Sequence, residues 1–367
     1  MFSLIVQYLK YDLILPTIAS ILFVQSIFSC GNLTREIANE NDLAGVSNGY
    51  LGFKRDTSDG QWRSFNGNIE LIVIVAIIYC LISTYIKKQY PFSTTFEFQC
   101  FCKLIGLSLK KRLKKTVLYG VKTLISYTVL IVFTHLNYSF AITTKKQNFQ
   151  YWEKLEPQQM INLSFSSLFF IWIKFNTIWK IAKFWAMLDN MDVPENMNRC
   201  ICNNYNFEGF WRSWHRGFNQ WLLRYIYFPL GGSTNKIWNI WVVFTFVAIW
   251  HDMNLNLVLW AWGICLCLMP EIAIKNYFNQ KKNQYLHETT IFKIIQGLAA
   301  GLVMVFMCIT NLIGFGMGYE IMSSMLGNLF GTLKGIFELL LVIIVLSFFS
   351  VFQMEIRKVQ GDLDRGF

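Results

Sequence analysis

Apolar residues in this chain are grouped into long blocks separated by short polar stretches. The blocks fall near residues 11–30, 69–87, 116–142, 160–182, 237–250, 255–278, 291–316 and 334–353. Since a helix needs about 20 apolar residues to cross a bilayer, the pattern predicts an all-α, polytopic membrane helix bundle. We expect about eight membrane segments, some of them partial or re-entrant. Lys174 and Lys180 interrupt one block, and a lysine at a helix centre costs roughly 2.5–3.5 kcal/mol. They must therefore reach the membrane surface or face protein.

The polar stretches predict the orientation of the bundle. The segment 87–115 carries eight lysine and arginine residues against one acid, Glu97. Basic loops stay on the cytosolic side, so this loop is predicted to be cytosolic. Counting spans from it places the N-terminus in the cytosol, the loop 31–68 in the lumen and the segment 183–220 in the cytosol.

Composition supports a membrane protein with a single domain over residues 1–367. The chain is 54% hydrophobic and only 15% charged, whereas soluble domains carry roughly 25% charged residues. The net charge of +11 is typical of cytosolic loops that face anionic lipid headgroups. It does not indicate a nucleic-acid partner.

The nine cysteines are scattered and lack the paired C-x-x-C spacing of a zinc site. We therefore expect free thiols, no metal site and no tightly bound cofactor. The first apolar block has Lys10 and Asp12 at its start and is not followed by a clear small-residue cleavage site. It is interpreted as a membrane helix rather than a signal peptide.

The stretch VFTFVAIWHDMNLNLVLWAW, residues 243–262, places His251 and Asp252 within apolar sequence. Ionisable groups are expensive there and usually have a function. A histidine has an ordinary pKa of about 6.5, so a small shift keeps it neutral and able to act as a base. The alternative is a core histidine bonded to a carbonyl. On a helix, Asp252 would point about 100° away from His251, so the two side chains need not touch.

The stretch FWRSWHRGFNQWLLRYIYFPLGG, residues 210–232, mixes aromatic and basic side chains. If it is helical, Arg212, Arg216 and Arg224 share one face at spacings of four and eight residues. Guanidinium groups bind phosphates well, so these arginines are candidates for the phosphates of a nucleotide-bearing ligand. A basic collar at the membrane surface is the alternative. His215 lies too far from His251 for a local metal motif, but the fold could bring the two together.

These residues resemble a known family. The segments NNYNFEGFWRSWHRGFNQWLLRYIYFPLGGS and WVVFTFVAIWHD are similar to the membrane-bound O-acyltransferase (MBOAT) superfamily, in its glycerol-uptake-protein and Hedgehog acyltransferase branch. LDNMDVPENMNRC and FKRDTSDGQWRSF also resemble that branch. The similarity is strongest over 185–262, the predicted catalytic region.

The resemblance implies a helical bundle with a tunnel, acyl-CoA as co-substrate from the cytosol, and an acceptor that enters from the other side. It implies that His251 is the buried catalytic histidine and that His215 is the second active-site residue. Members of this branch that act in the endoplasmic reticulum re-acylate lyso-lipid on glycosylphosphatidylinositol (GPI) anchors, so a multi-pass protein of that membrane with a lipid or GPI-anchor acceptor is expected.

The chain departs from the family pattern between its second and third apolar blocks. Only residues 87–115 join them, where relatives have several helices. Three alternatives therefore stay open beside the O-acyltransferase: a polyol or glycerol transporter, a protein acyltransferase, and a truncated inactive pseudo-enzyme.

Overall fold

A computed structural model describes residues 14–40, 42–89, 109–200, 204–281, 283, 285 and 289–359. Over these residues the chain is almost entirely helical, as predicted, with one two-stranded antiparallel hairpin. The fold class predicted from the apolar blocks, a polytopic helical membrane protein, is confirmed.

The elements follow one another along the chain. They are α1 (Ile14–Glu40), β1 (Val46–Asn48), β2 (Lys54–Asp56), α2 (Gly60–Gly67), α3 (Ile69–Gln89), α4 (Leu109–Leu136), α5 (Ser139–Thr144), α6 (Phe149–Trp152), α7 (Pro157–Leu188), α8 (Phe207–Ser213), α9 (Arg216–Leu222), α10 (Lys236–His251), α11 (Leu255–Phe278), α12 (Thr290–Phe315), α13 (Gly318–Gly331) and α14 (Leu333–Val359). A π-helical turn, Leu223–Tyr227, continues α9, and a 3₁₀ turn, Gly232–Asn235, precedes α10.

Six helices among the described residues are long and apolar enough to cross a membrane. The spans are Ile69–Ile86, Leu113–Leu136, Pro157–Leu188, Leu255–Phe278, Thr290–Phe315 and Leu333–Met354. The predicted block 237–250 forms α10, whose 16 residues are fewer than the roughly 20 that a span needs. The block 11–30 begins outside the described residues and continues into α1.

Helix α7 is the central helix of the first half of the fold. It begins at Pro157, where the missing N–H costs nothing, and Glu156 and Gln159 form a reciprocal capping box. Its Lys174 is buried and forms an ion pair of 2.7 Å with Asp59. Lys180 Nζ donates to Ser126 Oγ at 3.2 Å. Both lysines therefore face protein, one of the two outcomes that the sequence allowed.

The predicted luminal loop 31–68 is largely folded. Helix α1 continues through Glu40, and the β hairpin and α2 follow. The buried Asp56 carboxylate accepts hydrogen bonds from the Ser58 amide and hydroxyl and from the Ala141 amide. Burial raises the pKa of Asp56 to about 6, although these hydrogen bonds oppose the shift. The loop is thus attached to the start of α5 as well as to α7.

The predicted cytosolic loop 87–115 lies mostly outside the described residues. At its end, Lys115 pairs with Asp192, which follows α7. Lys183 Nζ on α7 lies 3.2 Å from the Glu195 carboxylate. The segment after α7 is therefore held against α4 and α7 by ion pairs.

The second half of the fold has its own apolar core, formed mainly by α8, α10, α11 and α12. Helix α12 packs against both α11 and α14. A Cβ at Gly314 would approach the Trp260 side chain to 2.8 Å, so glycine at this position allows α12 to lie close to α11. Of the aromatic residues of the site described next, Trp260 belongs to this core, and Phe218 and Phe315 pack against it.

Candidate active site

His215 lies at a break between two short helices. Helix α8 ends at Ser213 and α9 begins at Arg216. His215 itself has φ +46°, in the left-handed region that non-glycine residues rarely adopt. The condition under which the three arginines would share one face, a continuous helix, is therefore not met. The break turns the chain so that His215 projects from a corner rather than from a helix face.

Asn196 holds the first turn of α9 from outside the helix. The N-terminal amides of a helix have no partner within it, and the His215 side chain does not cap them. Asn196 accepts the Arg216 amide with its backbone oxygen at 2.9 Å and the Gly217 amide with Oδ1 at 2.8 Å. These two hydrogen bonds fix the backbone directly after His215.

Aromatic rings surround the imidazole of His215. It stacks on Trp179 of α7, with ring centroids 4.8 Å apart and an interplanar angle of 22°. Phe218 lies 5.2 Å away and Trp250 lies 6.5 Å away, both measured between centroids. The ring is thus held by stacking on an element that is distant in sequence.

His251 is the last residue of α10. Its ring contacts three aromatic rings: Trp250 at 4.7 Å, Phe315 at 5.0 Å and Trp260 at 5.9 Å between centroids. His251 is nevertheless exposed in the part of the chain that the structure describes. The resemblance, in contrast, implied a buried histidine. Aromatic rings pack against the imidazole, yet the described residues do not enclose it.

The aromatic wall beside His251 is itself anchored. The buried Trp260 donates from Nε1 to Asn311 Oδ1 at 3.2 Å, and Asn311 Nδ2 donates to the Met307 carbonyl at 2.7 Å. A buried indole N–H needs such a partner. Trp260 is thereby fixed to α12 and sets the surface against which His251 packs.

The loop between α10 and α11 is short and well bonded. Asn254 caps α11 by accepting the Asn256 amide at 3.0 Å, and Asn256 Oδ1 accepts the Tyr319 amide at 3.1 Å. The Asp252 carboxylate makes no hydrogen bond or ion pair with any described residue. As the sequence allowed, Asp252 is not a partner of His251.

The two candidate histidines converge on Trp250. The centroid of this ring lies 6.5 Å from that of His215 and 4.7 Å from that of His251. They come from separate elements 36 residues apart in sequence. The fold therefore produces a proximity that no local spacing encodes.

Neither of these imidazoles makes a hydrogen bond within the described part of the chain. His135 on α4 differs: its Nε2 accepts the Tyr50 amide at 3.2 Å, so its Nδ1 carries the hydrogen that is donated to the Ile131 carbonyl at 2.7 Å. Both nitrogens of His135 are occupied by structure. The nitrogens of His215 and His251 remain available to a substrate.

The three candidate phosphate-binding arginines do not share one helix face. Arg212 lies on α8 and pairs with Glu208 at 2.7 Å, Arg216 opens α9 beside His215, and Arg224 is exposed in the π-helical turn. The break at His215 is the physical reason. Arg216 is thus the arginine next to the histidine pair, and Arg212 already has an acidic partner.

Sequence reasoning missed Trp179, Asn196 and Phe315 as site residues. Trp179 and Phe315 lie inside predicted spans, where an aromatic residue is ordinary. Asn196 lies in LDNMDVPENMNRC, which was noted only for its resemblance. Within the described ranges no group of three or more His, Cys, Asp or Glu residues is placed to hold a metal ion.

Residues 73–318 match the membrane-bound O-acyltransferase family. This segment contains both histidines, all three arginines and the aromatic wall, and it covers well over half of the chain. The chain belongs to the MBOAT family. The resemblance stated from its motifs is thereby confirmed.

Named relatives agree with this membership. The MBOAT chain is 38% identical over 240 residues to the membrane-bound O-acyltransferase gup1 of Schizosaccharomyces pombe, over 65% of this chain and 40% of the relative. It is 36% identical over 241 residues to GUP1 of Saccharomyces cerevisiae, over 65% of this chain and 41% of the relative. A shorter match, 29% over 103 residues, 27% of this chain and 20% of the relative, is to the protein-cysteine N-palmitoyltransferase HHAT of Mus musculus. The chain thus spans about 40% of the length of the first two relatives.

Proposed function

We propose that this protein is an acyl-CoA-dependent O-acyltransferase of the endoplasmic reticulum membrane. It moves a long fatty acyl chain to a hydroxyl acceptor, a lyso-lipid of a GPI anchor. His251 acts as the general base, and His215 is the second active-site residue. The observation that carries the proposal is the pair of histidines beside Trp250 whose nitrogens have no hydrogen-bond partner among the described residues, in contrast to His135.

The chemistry requires little from the protein beyond these groups. His251 takes the proton of the acceptor hydroxyl while the oxygen attacks the thioester carbonyl carbon. A C–O bond forms, and the C–S bond then breaks. The CoA thiolate leaves and recovers a proton from the His251 imidazolium, so the histidine returns to its neutral form. A positioned base of this kind contributes typically 10²–10⁴-fold.

His215 suits the task of orienting the acceptor or stabilising the oxyanion. Such a donor is effective only when it is held before the reaction begins. Stacking on Trp179 and the Asn196 hydrogen bonds hold it in this way. Arg216, immediately after His215, is the arginine best placed for a CoA phosphate, with Arg224 further along the same segment.

An acyl-transfer assay in microsomes tests the proposal directly. Microsomes containing the wild-type chain receive labelled long-chain acyl-CoA and a lyso-GPI acceptor, and His251→Ala is compared with Asp252→Asn. Asp252 is the adjacent exposed residue without a partner among the described residues, so its variant is a matched control. We expect His251→Ala to lose at least about 100-fold and Asp252→Asn to retain activity. Normal turnover by His251→Ala would remove this histidine from the mechanism.

Substitutions at His215 separate its chemistry from its backbone. Asparagine tolerates the left-handed conformation and keeps an N–H donor, whereas glycine tolerates the conformation without a donor. We expect His215→Asn to retain far more transfer than His215→Gly. Rates of both variants equal to that of the wild type would show that the side chain at this position has no role in the reaction.

A further inference from the structure

The tip of the β hairpin carries unusually exposed apolar side chains. Tyr50 is 63% exposed, Leu51 94% and Phe53 47%. Three such residues within four positions form an apolar tip rather than the polar tip usual for a hairpin. A side chain of this kind that faces water forgoes the favourable free energy of transfer from water to an apolar medium. We call residues 50–53 the hairpin tip.

The turn at the tip makes the leucine more notable. Leu51 has φ +55° and Gly52 has φ +80°, and the Phe53 amide donates to the Tyr50 carbonyl at 3.0 Å. Such two-residue turns favour Asn-Gly because both central residues are left-handed. Leucine rarely adopts this conformation, and at 94% exposure its side chain gains almost no packing against the protein that would offset the strain. Contact of the Leu51 side chain with an apolar medium would offset this cost.

Contacts of the hairpin with a candidate membrane span relate the tip to the membrane surface. His135 is the penultimate residue of the span Leu113–Leu136. The Tyr50 amide donates to His135 Nε2 at 3.2 Å, and the two rings stack with centroids 5.5 Å apart. A Cβ on Gly49 would lie 2.7 Å from the His135 ring, so glycine at this position permits the close approach. The hairpin is therefore attached at the level where a membrane helix ends.

We propose that the hairpin tip inserts into the interfacial layer of the bilayer beside the end of α4, as a membrane anchor that does not span. Aromatic residues favour the boundary between headgroups and acyl chains, which suits Tyr50 and Phe53. Leu51 extends into the acyl chains. The Arg55 guanidinium lies 6.0 Å from the Tyr50 ring centroid, on the strand that leads away from the tip, where it meets phospholipid phosphate.

The anchor has a structural consequence. Three residues beyond the tip, β2 ends at the buried Asp56, and Asp59 pairs with Lys174 in the centre of α7. The hairpin is thus attached to lipid at one end and to the central helix at the other. This inference rests on exposure, turn geometry and depth, and it does not depend on the proposed acyl transfer.

Photo-crosslinking to lipid tests the anchor. The full chain, reconstituted in phosphatidylcholine nanodiscs, carries p-benzoylphenylalanine at Phe53, a change that conserves the aromatic ring. The matched control carries it at Ser47, an exposed residue on β1 of the same hairpin. We expect several-fold more phospholipid adduct from position 53 than from 47. Equal lipid yields, or adducts of position 53 to another segment of the polypeptide or to a second copy, would overturn the proposal.

A second variant removes the anchor without endangering the fold. Leu51→Asn suits the left-handed turn better than leucine, so amide exchange of the hairpin should stay as slow as in the wild type or become slower. With the crosslinker at Phe53, Leu51→Asn should reduce the phospholipid adduct several-fold. An unchanged adduct yield with a well-protected hairpin would show that Leu51 is not in lipid.

Discussion

Two regions of this membrane protein are held together by different interactions. Around the first half and the centre of α7, buried polar groups form a hydrogen-bonded core: Asn137 Nδ2 donates to Ser166 Oγ at 2.9 Å, and Oδ1 of the same residue accepts the Ser139 amide at 2.9 Å. Around His215 and His251, stacked and edge-on aromatic rings provide the contacts. We call these regions the polar core and the aromatic site.

The difference shows how a histidine can be positioned while its ring nitrogens stay without hydrogen-bond partners. In the polar core every hydrogen bond that orients a side chain also occupies its donor or acceptor, as at His135. Ring stacking orients an imidazole through its face and leaves the nitrogens at its edge unpaired. A catalytic histidine needs at least one nitrogen open to the substrate, and support by ring stacking leaves both nitrogens open.

The largest effect is expected from removing one histidine of each region, first from the aromatic site and then from the polar core. His251→Ala should abolish most acyl transfer, at least about 100-fold, with little change in thermal stability. His135→Ala should instead lower the free energy of unfolding by about 1–3 kcal/mol, because it leaves the Tyr50 amide without its acceptor. Transfer assays and thermal unfolding of both variants check this. Reversed effects would mean that the two histidines have been assigned the wrong roles.

The polar core itself is tested by Lys174→Met. The substitution leaves the largely buried Asp59 carboxylate without its cationic partner, a loss that typically costs about 3–5 kcal/mol. Asn at position 59 still accepts the Trp62 amide and so preserves the cap of α2. The double variant Lys174→Met with Asp59→Asn should therefore recover most of the stability in thermal unfolding. A double variant as unstable as the single one would show that the ion pair is not the cause.

Asp56 gives the polar core a pH dependence. Its raised pKa, about 6 against an ordinary value of 3.8, means that the folded state holds the proton more tightly than the unfolded chain. Its contribution to stability is present at about pH 4 and is lost as the pH rises through about 6, on the order of 3 kcal/mol. Asp56→Asn does not titrate, so the stability of the wild type relative to this variant should fall between about pH 4 and 7. A constant difference in thermal unfolding across that range would contradict the assignment.

The smallest effect is expected within the aromatic site, from a change at Asn196. Asn196→Ala removes the acceptor of the Gly217 amide, a loss of about 1–3 kcal/mol in positioning. We expect kcat to fall roughly tenfold with KM unchanged, because the variant loosens His215 without touching the acyl donor. The control is Asn198→Ala, which changes an exposed side chain two residues away.

A double variant tests whether Asn196 acts through His215. In a His215→Gly background, Asn196→Ala should have little further effect on kcat, since residues that act as a unit are not additive. Full additivity of the two losses would instead assign Asn196 a purely general structural role.

Much of the fold could be predicted from the sequence. Span length and polarity are local properties, so the predicted blocks from 69 to 353 agree with the six spans to within six residues at each end, apart from the block that forms α10, which is too short to span. The folded state of the 31–68 segment could not be predicted, because its hairpin is stabilised by Ala141, His135 and Lys174, which are distant along the chain. The helix break at His215 was missed for a similar reason: it depends on Asn196, which belongs to another segment.

The sequence alone determined that the chain is a helical membrane protein with histidines at 215 and 251 set in aromatic surroundings, and its motifs indicated the family. Only the tertiary structure decided that both histidines meet at Trp250, that Trp179 supports one and Phe315 the other, and that the arginines of 212–224 do not form a single face. The physical reason is the separation along the chain between the residues that interact. Helix formation and membrane partitioning depend on neighbouring residues, whereas the position of an imidazole depends on packing between helices that are far apart along the chain.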